Sequence, residues 1–191
     1  MNFEDYLSEN LNDPYLIPGT DVLRNKLEVI DPSELECSER LHTAGRLAEL
    51  MIKPIKGNFD LKHLQRIHYA IFQDVYEWAG LLRNVGIGKN FTQFASAEYL
   101  ESSASDIFDR LARENYLRGL SVRDFAKSAA LYLSDVNALH PFRDGNGRAQ
   151  REFFRDLALK AGYMLANGSF FMSYTRNRIR IFLLRFHCCP V

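Results

Sequence analysis

Apolar residues recur at helical spacing along most of this chain, and that pattern limits its fold more than any other feature. The clearest stripe follows Asp60 and contains Leu61, Leu64, Ile67, His68, Ile71, Phe72 and Val75. Residues at this spacing share one face of a helix, and that face must be buried against other helices. The sequence therefore predicts an all-α fold, a bundle of amphipathic helices.

The predicted helices begin and end at recognisable residues. Asp31 and Pro32 are typical of an N-cap and a first helical turn, and Ser121 is typical of another N-cap. The helix after Ser121 should end near His140, because Pro141 disfavours helical geometry in the residue before it. The predicted helices cover about residues 32–52, 61–75, 97–116, 122–140 and 147–161.

The segment between two of these helices departs from the helical pattern. From Gly80 to Phe94, apolar residues are interrupted by Gly86, Gly88 and Asn90, which favour tight turns. This pattern predicts a small β-hairpin. We expect one structural unit, in which an N-terminal arm and helix (residues 1–54) pack on a larger domain (residues 55–191).

The overall composition favours a soluble protein inside the cell. Lys and Arg together number 24, as do Asp and Glu, so no global charge favours nucleic acid or an anionic membrane as a partner. No apolar run is long enough to span a membrane, and the acidic, polar N-terminus is unlike a secretory signal. The three cysteines form no disulfide framework. We therefore expect a cytoplasmic protein.

The stretch from His140 to Arg151 concentrates residues suited to phosphate binding. Gly145 and Gly147 let the backbone turn its N–H groups towards an anion, and the helix that follows adds its positive dipole end. Arg148 and Arg151 are three residues apart and project from one side of that helix. A Gly-Asn-Gly turn with a nearby Arg also occurs as a purely structural loop. The combination within twelve residues favours an anion site.

The same stretch contains a base and a metal ligand. The near-neutral pKa typical of histidine suits His140 to remove a proton from an attacking hydroxyl. Asp144 supplies a hard oxygen ligand of the kind that binds magnesium beside phosphates. Base, metal ligand and anion cradle together indicate phosphoryl or nucleotidyl transfer.

At this point the sequence resembles a known family. The stretch His140-Pro141-Phe142-Arg143-Asp144-Gly145-Asn146-Gly147-Arg148 is similar to the Fic signature, His-Pro-Phe-x-(Asp/Glu)-Gly-Asn-Gly-(Arg/Lys). Residues 72–80 resemble the helix end before the Fic flap, and residues 13–15, 18–20 and 24–27 resemble the N-terminal arm of bacterial Fic toxins. The likeness covers roughly residues 12–165. It implies a Fic-type helical bundle with one small hairpin flap.

The resemblance implies transfer of AMP from ATP to a hydroxyl side chain of a target protein. In this family the histidine, here His140, deprotonates the target hydroxyl, and the acidic residue, here Asp144, holds magnesium. The remaining residues implied to contact ATP are Gly145, Asn146, Gly147, Arg148 and Arg151, with Asp74 and Val75 as weaker candidates.

The hairpin over about residues 83–95 corresponds to the family's flap. Its edge would pair with an extended segment of the target and present a hydroxyl to His140. The predicted docking residues are Ile87, Lys89, Thr92 and Phe94. Ile87 and Phe94 could equally serve only to pack the hairpin onto the bundle.

Many Fic proteins carry an inhibitory Ser/Thr-x-x-x-Glu-(Gly/Asn) helix. Glu9-Asn10 and Glu114-Asn115 do not match it, because Asp5 and Arg110 occupy the Ser/Thr position. The chain thus resembles bacterial Fic toxins whose inhibitor is a separate antitoxin that supplies the glutamate. The resemblance implies the ATPase subunits of DNA gyrase and topoisomerase IV as targets.

The sequence departs from the family pattern after Gly162, where a basic, apolar tail follows. This tail could be a divergent last helix, a truncated end or a membrane-leaning segment. Three other functions stay open: a non-catalytic binding module, γ-phosphate transfer as in Doc-like members, and transfer of UMP or phosphocholine. Doc-like members lack the second glycine of Gly-Asn-Gly, which is present here as Gly147.

Overall fold

The computed structural model describes residues 13–89, 92–165, 173–175, 178–180 and 183–184. Helices dominate these residues, so the predicted all-α fold is confirmed. The α-helices are α1 (Pro32–Ile52), α2 (Leu61–Phe72), α3 (Leu100–Arg113), α4 (Val122–Leu139) and α5 (Asn146–Lys160). Short 3-10 turns at Ala97–Tyr99 and Asn115–Leu117 flank α3.

The helices begin where the capping residues predict. The Asp31 carboxylate accepts a hydrogen bond from the Glu34 N–H at 2.8 Å, which satisfies one of the exposed donors in the first turn of α1. The Ser121 hydroxyl accepts from the Asp124 N–H at 3.2 Å in the same way, and Asp60 caps α2. Capping residues that are recognisable in the sequence therefore determine where these three helices begin.

Packing of the apolar stripes forms one core. Helix α2 packs against α1 and α5, while α4 packs against α3 and α5. The largest completely buried side chains are Phe72, Phe125, Phe142, Phe153 and Phe154. Val22, Leu35 and Leu50 of the arm and α1 belong to the same core. The division of the chain at residue 54 stays a prediction.

Two predicted helices are shorter than expected. Helix α2 ends at Phe72, because the backbone turns there and the Val75 N–H bonds to the Phe72 carbonyl at 2.9 Å. The predicted helix over 97–116 has α-helical geometry only from Leu100 to Arg113. Residues 115–117 are left-handed, with φ of 51°, 55° and 60°, and this turn buries Leu117 completely.

The predicted hairpin forms, and it is small. Strands β1 (Gly88–Lys89) and β2 (Thr92–Gln93) pair antiparallel, with Gly88 opposite Gln93 and Lys89 opposite Thr92. The Phe94 N–H continues the pairing with a 3.3 Å bond to the Ile87 carbonyl. The Ala95 N–H bonds to the Ala138 carbonyl at 3.2 Å, so β2 ends close to the C-terminus of α4.

Beyond α5, the described residues of the tail are extended. Gly162 ends the helical region with φ of 88°. Strand β3 (Met164–Leu165) pairs with β6 (Leu183–Leu184), and β4 (Ser173–Thr175) pairs with β5 (Arg178–Arg180). A final helix, one of the alternatives raised by the sequence, is absent from these described residues. None of the described helices has the length and apolarity needed to span a bilayer.

Candidate active site

The candidate site is the loop between α4 and α5, and its first residue has an unusual backbone. His140 follows the last residue of α4 in a left-handed conformation, with φ of 45° and ψ of 62°. Its N–H still bonds to the Val136 carbonyl at 3.1 Å. A non-glycine residue in this region is strained by about 1–2 kcal/mol, so the surrounding structure must hold it there. Such strain is typical of functional sites.

A hydrogen bond of the His140 ring indicates its tautomer. Its Nδ1 lies 3.2 Å from the Asn137 carbonyl oxygen, which can only accept a hydrogen bond. Nδ1 therefore carries the proton of the neutral ring, and the lone pair is on Nε2. The Phe94 ring stacks on the imidazole with centroids 3.8 Å apart. These two contacts fix the orientation of the ring and suit Nε2 to the predicted role of proton acceptor.

Asn146 shapes the loop through its side chain. Its Oδ1 accepts a hydrogen bond from the Phe142 N–H at 2.9 Å, and its Nδ2 donates to the Phe142 carbonyl at 2.7 Å. The residue is buried, so this amide closes the turn from inside. The N–H groups of Asn146 and Gly147 lie in the first turn of α5, where a helix provides no acceptor for them. Donors of this kind at the positive end of a helix dipole are suited to binding an anion.

Gly145 is required by both conformation and space. Its φ is 76°, and a Cβ added there would lie 2.3 Å from a ring carbon of Phe72 and 3.0 Å from Nε2 of His68. Gly147 has no such backbone constraint, but an added Cβ would lie 3.3 Å from Nη1 of Arg151. The two glycines thus serve different purposes. Gly145 allows the loop to pack, and Gly147 leaves space beside the Arg151 guanidinium.

His68 supports this loop from beneath, a role that the sequence analysis missed. Its ring is fully buried and stacks on Phe72 and Phe142, with centroids 4.6 and 3.9 Å away. Nε2 donates to the Asp144 carbonyl, and Nδ1 accepts from the Gly80 N–H, both at 2.9 Å. Burial lowers the pKa of His68 to about 3, so the ring is neutral. A histidine within an apolar stripe was the only sequence signal for this role.

Two arginines project from the first turns of α5. Arg148 lies 2.5 Å from Glu39, and its guanidinium covers the Phe72 ring at 4.5 Å from the centroid. Arg151 is exposed and forms no ion pair within the part of the chain that the structure describes. Desolvation by the surrounding protein and the charge of Arg148 lower the pKa of Arg151, which remains protonated near neutrality. These neighbouring positive charges suit an anion with several phosphates.

Asp144 is the residue of this loop whose carboxylate suits a magnesium ion. The residue is exposed, and its Oδ1 accepts a hydrogen bond from its neighbour's N–H, that of Gly145. No group of three or more potential metal ligands occurs among the described residues. Magnesium commonly binds to one or two carboxylates and completes its shell with water and phosphate oxygens. The residues present therefore fit a magnesium ion that arrives with a nucleotide, held by Asp144.

Arg83 joins the hairpin to this loop, and the sequence analysis missed it as well. Its buried guanidinium donates to the carbonyls of His140 at 2.8 Å and Val85 at 2.7 Å, and also to that of Ala95. A longer bond of 3.3 Å reaches the Leu139 carbonyl. Burial lowers the pKa of Arg83. One side chain thus holds both ends of the hairpin against the end of α4.

The predicted flap residues have different positions. Phe94 is half-buried against the His140 ring, and Ile87 is half-buried at the start of the hairpin. Lys89 and Thr92 face each other in the strand register. Phe94 is therefore in contact with the candidate base. Docking of a target on the flap stays a prediction.

The two weaker candidates lie at the end of α2. The Asp74 carboxylate forms a two-point ion pair with Arg46 of α1, with distances of 2.6 and 2.9 Å. The Val75 side chain is completely buried, and its carbonyl accepts from the Lys26 N–H at 2.8 Å. Contact of Asp74 and Val75 with the nucleotide stays a prediction.

The N-terminal arm contacts the loop from outside. Nε and Nη2 of Arg143 lie 3.0 and 2.8 Å from one carboxylate oxygen of Asp13. Tyr15 packs edge-on against Trp78 with ring centroids 5.6 Å apart. The ion pair joins residues 130 positions apart in the chain. The loop is therefore held by the arm as well as by the bundle.

A helical bundle with a histidine ring beside a helix N-terminus that is unpaired among the described residues is an arrangement suited to chemistry at a phosphate group. The Fic/DOC family profile matches residues 58–158, more than half of the chain. The chain therefore belongs to the Fic/DOC family, which confirms the resemblance seen in the signature.

Relatives with assigned names agree with this membership. The chain is 47% identical over 155 residues to protein adenylyltransferase VbhT of Bartonella schoenbuchensis, covering 81% of this chain and 32% of VbhT. It is 41% identical over 154 residues to the probable protein adenylyltransferase Fic of Escherichia coli K12, covering 81% of this chain and 76% of that protein. The chain thus spans about a third of the length of VbhT.

Solved Fic structures share the fold. BepC of Bartonella tribocorum with bound AMPPNP has a TM-score of 0.74 and 29% identity, with 80% of each chain covered. A Bartonella quintana Fic domain with bound ADP has a TM-score of 0.75 and 30% identity, with 80% of this chain and 78% of that chain covered. Two structural neighbours therefore contain adenine nucleotides.

Proposed function

We propose that this protein is a protein adenylyltransferase, which moves AMP from ATP onto a hydroxyl side chain of a target protein. The observation that carries the proposal is the His140 ring, whose Nδ1 lies 3.2 Å from the Asn137 carbonyl and whose Nε2 therefore holds the lone pair. That ring follows α4 directly, and the anion-binding start of α5, at Asn146, lies six residues further on. A base and a phosphate site in one braced loop are what transfer to a hydroxyl requires.

The proposed step is an in-line displacement at the α-phosphate. The target hydroxyl oxygen forms a bond to the α-phosphorus, and the bond from that phosphorus to the bridging oxygen breaks, so that pyrophosphate leaves. The hydroxyl proton passes to Nε2 of His140. A magnesium ion held by Asp144, when bound, supplies neutralisation of negative charge on the phosphates. The N–H groups of Asn146 and Gly147 hold the phosphate oxygens in place.

Arg148 and Arg151 orient the triphosphate in this proposal. Their guanidinium groups donate in planar forks that suit phosphate oxygens, and they project from the same side of α5. We assign the γ-phosphate to Arg151, which has no ion-pair partner among the described residues. Asp74 and Val75 remain candidates for the edge of the nucleotide site. The Asp74 carboxylate is paired with Arg46 and the Val75 carbonyl is bonded to Lys26, so other atoms of these residues would contact the nucleotide.

The hairpin is the proposed docking point for the target. An extended target segment would pair with its edge near Lys89 or Thr92, in the mode of strand addition. Ile87 and Phe94 would position that segment next to His140. The stacking of Phe94 on the imidazole supports this role, because it places a flap side chain at the base itself.

We further propose a bacterial cytoplasmic toxin restrained by a separate antitoxin that supplies an inhibitory glutamate. Two observations support this proposal. Neither Glu9-Asn10 nor Glu114-Asn115 matches the inhibitory motif, and residues 13–15, 18–20 and 24–27 resemble the N-terminal arm of bacterial Fic toxins. The leading targets are the ATPase subunits of DNA gyrase and topoisomerase IV, and we expect neither nucleic acid nor a membrane as a direct partner. Purified gyrase B incubated with enzyme and ATP tests the target: an unchanged gyrase mass would remove it.

Labelled ATP tests the proposed reaction. The purified protein is incubated with bacterial lysate and ATP labelled at either the α- or the γ-phosphate, and proteins are separated and scanned for label. Transfer of AMP retains only the α label and adds one adenylyl group to the target mass. Label retained only from the γ-phosphate would indicate phosphorylation instead. Failure to bind magnesium–ATP would favour a non-catalytic binding module. If ATP binds but is not transferred, UTP or a phosphocholine donor is offered in turn.

A further inference from the structure

Glu39 of α1 reaches the phosphate site although it lies outside the signature. Its Oε1 is 2.5 Å from Nη1 of Arg148, and its Oε2 accepts a hydrogen bond from the Tyr76 hydroxyl. Thr43, one turn further along α1, lies 3.4 Å from the same Nη1 through its hydroxyl oxygen. Glu39 is 8% exposed, so its carboxylate is enclosed by these partners.

A buried carboxylate of this kind requires compensation for its lost hydration. Burying an unpaired charge is strongly unfavourable, so acids in such positions are paired and hydrogen-bonded. Burial and the bond to Glu39 raise the pKa of Tyr76 above its usual range, which keeps the hydroxyl protonated as a donor. Glu39 is thus fixed on one side by Tyr76 and on the other by Arg148.

Three residues define the position of Arg148, two at one edge of the guanidinium and one at its face. Nη1 of Arg148 contacts the Glu39 carboxylate and the Thr43 hydroxyl, and the face of the guanidinium lies over the Phe72 ring at 4.5 Å from the centroid. A guanidinium has five N–H donors in one plane, so fixing one edge and one face determines the direction of the others. Without the carboxylate, a long arginine side chain would sample many rotamers beside the equally charged Arg151.

We propose that Glu39 is a positioning residue of the transfer reaction, which holds Arg148 so that its guanidinium aligns the phosphates for attack. This inference rests on the proposed function, because it gives Arg148 a phosphate to align. The arrangement is analogous to the Lys–Glu ion pair of protein kinases, in which the glutamate fixes the lysine that holds the phosphates.

The expected signature separates alignment from affinity. The Glu39 carboxylate repels phosphate, so its removal does not weaken the binding of ATP by charge. Its removal does release Arg148, and small misplacements of reacting groups reduce rates by an order of magnitude or more. For Glu39→Gln we expect the transfer rate at saturating ATP to fall about tenfold or more. We expect the dissociation constant of magnesium–AMPPNP to stay equal or decrease.

The experiment measures label transfer from α-labelled ATP into the same bacterial lysate, together with calorimetric binding of magnesium–AMPPNP. Glu36→Gln is the matched control, since it removes the carboxylate of the exposed Glu36–Arg40 pair on the same helix. It should leave both quantities unchanged. In an Arg148→Ala background, Glu39→Gln should have less than about a twofold further effect, because the two residues act as one unit.

Several outcomes overturn the inference. A rate for Glu39→Gln equal to that of the wild type means that the carboxylate is only structural. A faster rate means that it competes with phosphate and inhibits. Weaker nucleotide binding with an unchanged saturated rate also contradicts alignment. If Glu39→Gln fails to fold in thermal unfolding, Tyr76→Phe replaces it: it keeps the carboxylate but releases Oε2, and a rate equal to the wild type overturns the inference.

The proposed function fails separately. A wild-type protein that transfers no label from α-labelled ATP refutes adenylyl transfer, and the inference falls with it. A wild-type protein that transfers label while Glu39→Gln transfers it equally refutes the inference alone.

Discussion

At the scale of single residues, the candidate site divides into groups that would touch the substrate and groups that hold them. His140 belongs to the first group. Its left-handed backbone and the hydrogen bond from Nδ1 to the Asn137 carbonyl set the orientation of its ring. His68, Glu39 and the side chain of Asn146 belong to the second group, whereas the Asn146 N–H belongs to the first. Their buried polar atoms bond to the loop or to its arginine, so each contributes through another residue.

His140→Ala is expected to abolish transfer and to leave nucleotide binding nearly intact. The substitution removes the proton acceptor, while the N–H groups and arginines that would bind phosphate belong to α5. Label transfer and calorimetric binding of magnesium–AMPPNP provide the two measurements. If nucleotide binding disappears together with activity, His140 supports the site's structure and is not its base.

Titration of His68 should make the protein less stable in acid. Its pKa is lowered from 6.5 to about 3 in the folded protein, so below pH 6.5 the unfolded chain binds a proton that the folded chain does not. The stability from this group is complete above pH 6.5 and is lost as pH falls towards 3. The loss well below pH 6.5 is about 1.4 kcal/mol for each pH unit.

The matching variant for this titration is His68→Asn, which cannot gain the proton. Urea unfolding between pH 7 and 4 should give a free energy of unfolding that falls less steeply for the variant than for the wild type. The variant is itself less stable near neutrality, since the bond to the Asp144 carbonyl and the ring stacking are lost. Parallel pH profiles of the two proteins would contradict the assignment.

At the scale of elements, the hairpin and the α4–α5 loop are one unit because Arg83 bonds to both. Strands of two residues cannot be stable alone in water. The Arg83 guanidinium donates hydrogen bonds to the carbonyls of Val85, Ala95 and His140. These bonds compensate for the small number of hydrogen bonds between the two short strands. The Arg83 side chain therefore positions the flap relative to the candidate base, together with the backbone bond from the Ala95 N–H to the Ala138 carbonyl.

Arg83→Lys is expected to loosen the hairpin and to slow transfer. A lysine ammonium keeps the charge but cannot reproduce the planar set of bonds to several carbonyls. We expect faster amide exchange in residues 85–95 and a transfer rate lower by about tenfold. Binding of magnesium–AMPPNP should be unchanged. Arg66→Lys, at an exposed position of α2, is the control. Unaltered exchange in the hairpin would show that Arg83 does not hold it.

At the scale of the whole molecule, the N-terminal arm and the loop stabilise each other. The Asp13–Arg143 pair is largely buried, with side-chain exposures of 10% and 20%, and it joins the first described residue to the signature. Val22 places the arm in the main core as well. Folding of the arm and formation of the site are therefore coupled.

Asp13→Asn should lower the free energy of unfolding and slow transfer without changing the hairpin. Loss of a mostly buried, charge-assisted bond to Arg143 costs about 1.5–3 kcal/mol. Urea unfolding measures this change, and Asp21→Asn in the exposed part of the arm is the control. If both variants unfold at the same urea concentration as the wild type, the arm does not brace the loop.

The sequence by itself determined the helices, their starts, the hairpin and the chemistry-bearing loop. These features depend on near neighbours: capping by Asp31 and Ser121, the stop at Pro141, and the spacing of Gly145, Gly147, Arg148 and Arg151. Local geometry is fixed by residues a few positions apart, so a single chain can be read for it.

Only the tertiary structure decided what holds the loop in place. Glu39, His68 and Arg83 lie 109, 76 and 57 positions from the residues they contact in or beside the loop, Arg148, Asp144 and His140. In sequence they look like a helix-surface acid, a member of an apolar stripe and a basic loop residue. Their roles arise because packing of the helices buries their polar groups, and a buried donor or acceptor must find its partner wherever the fold places one.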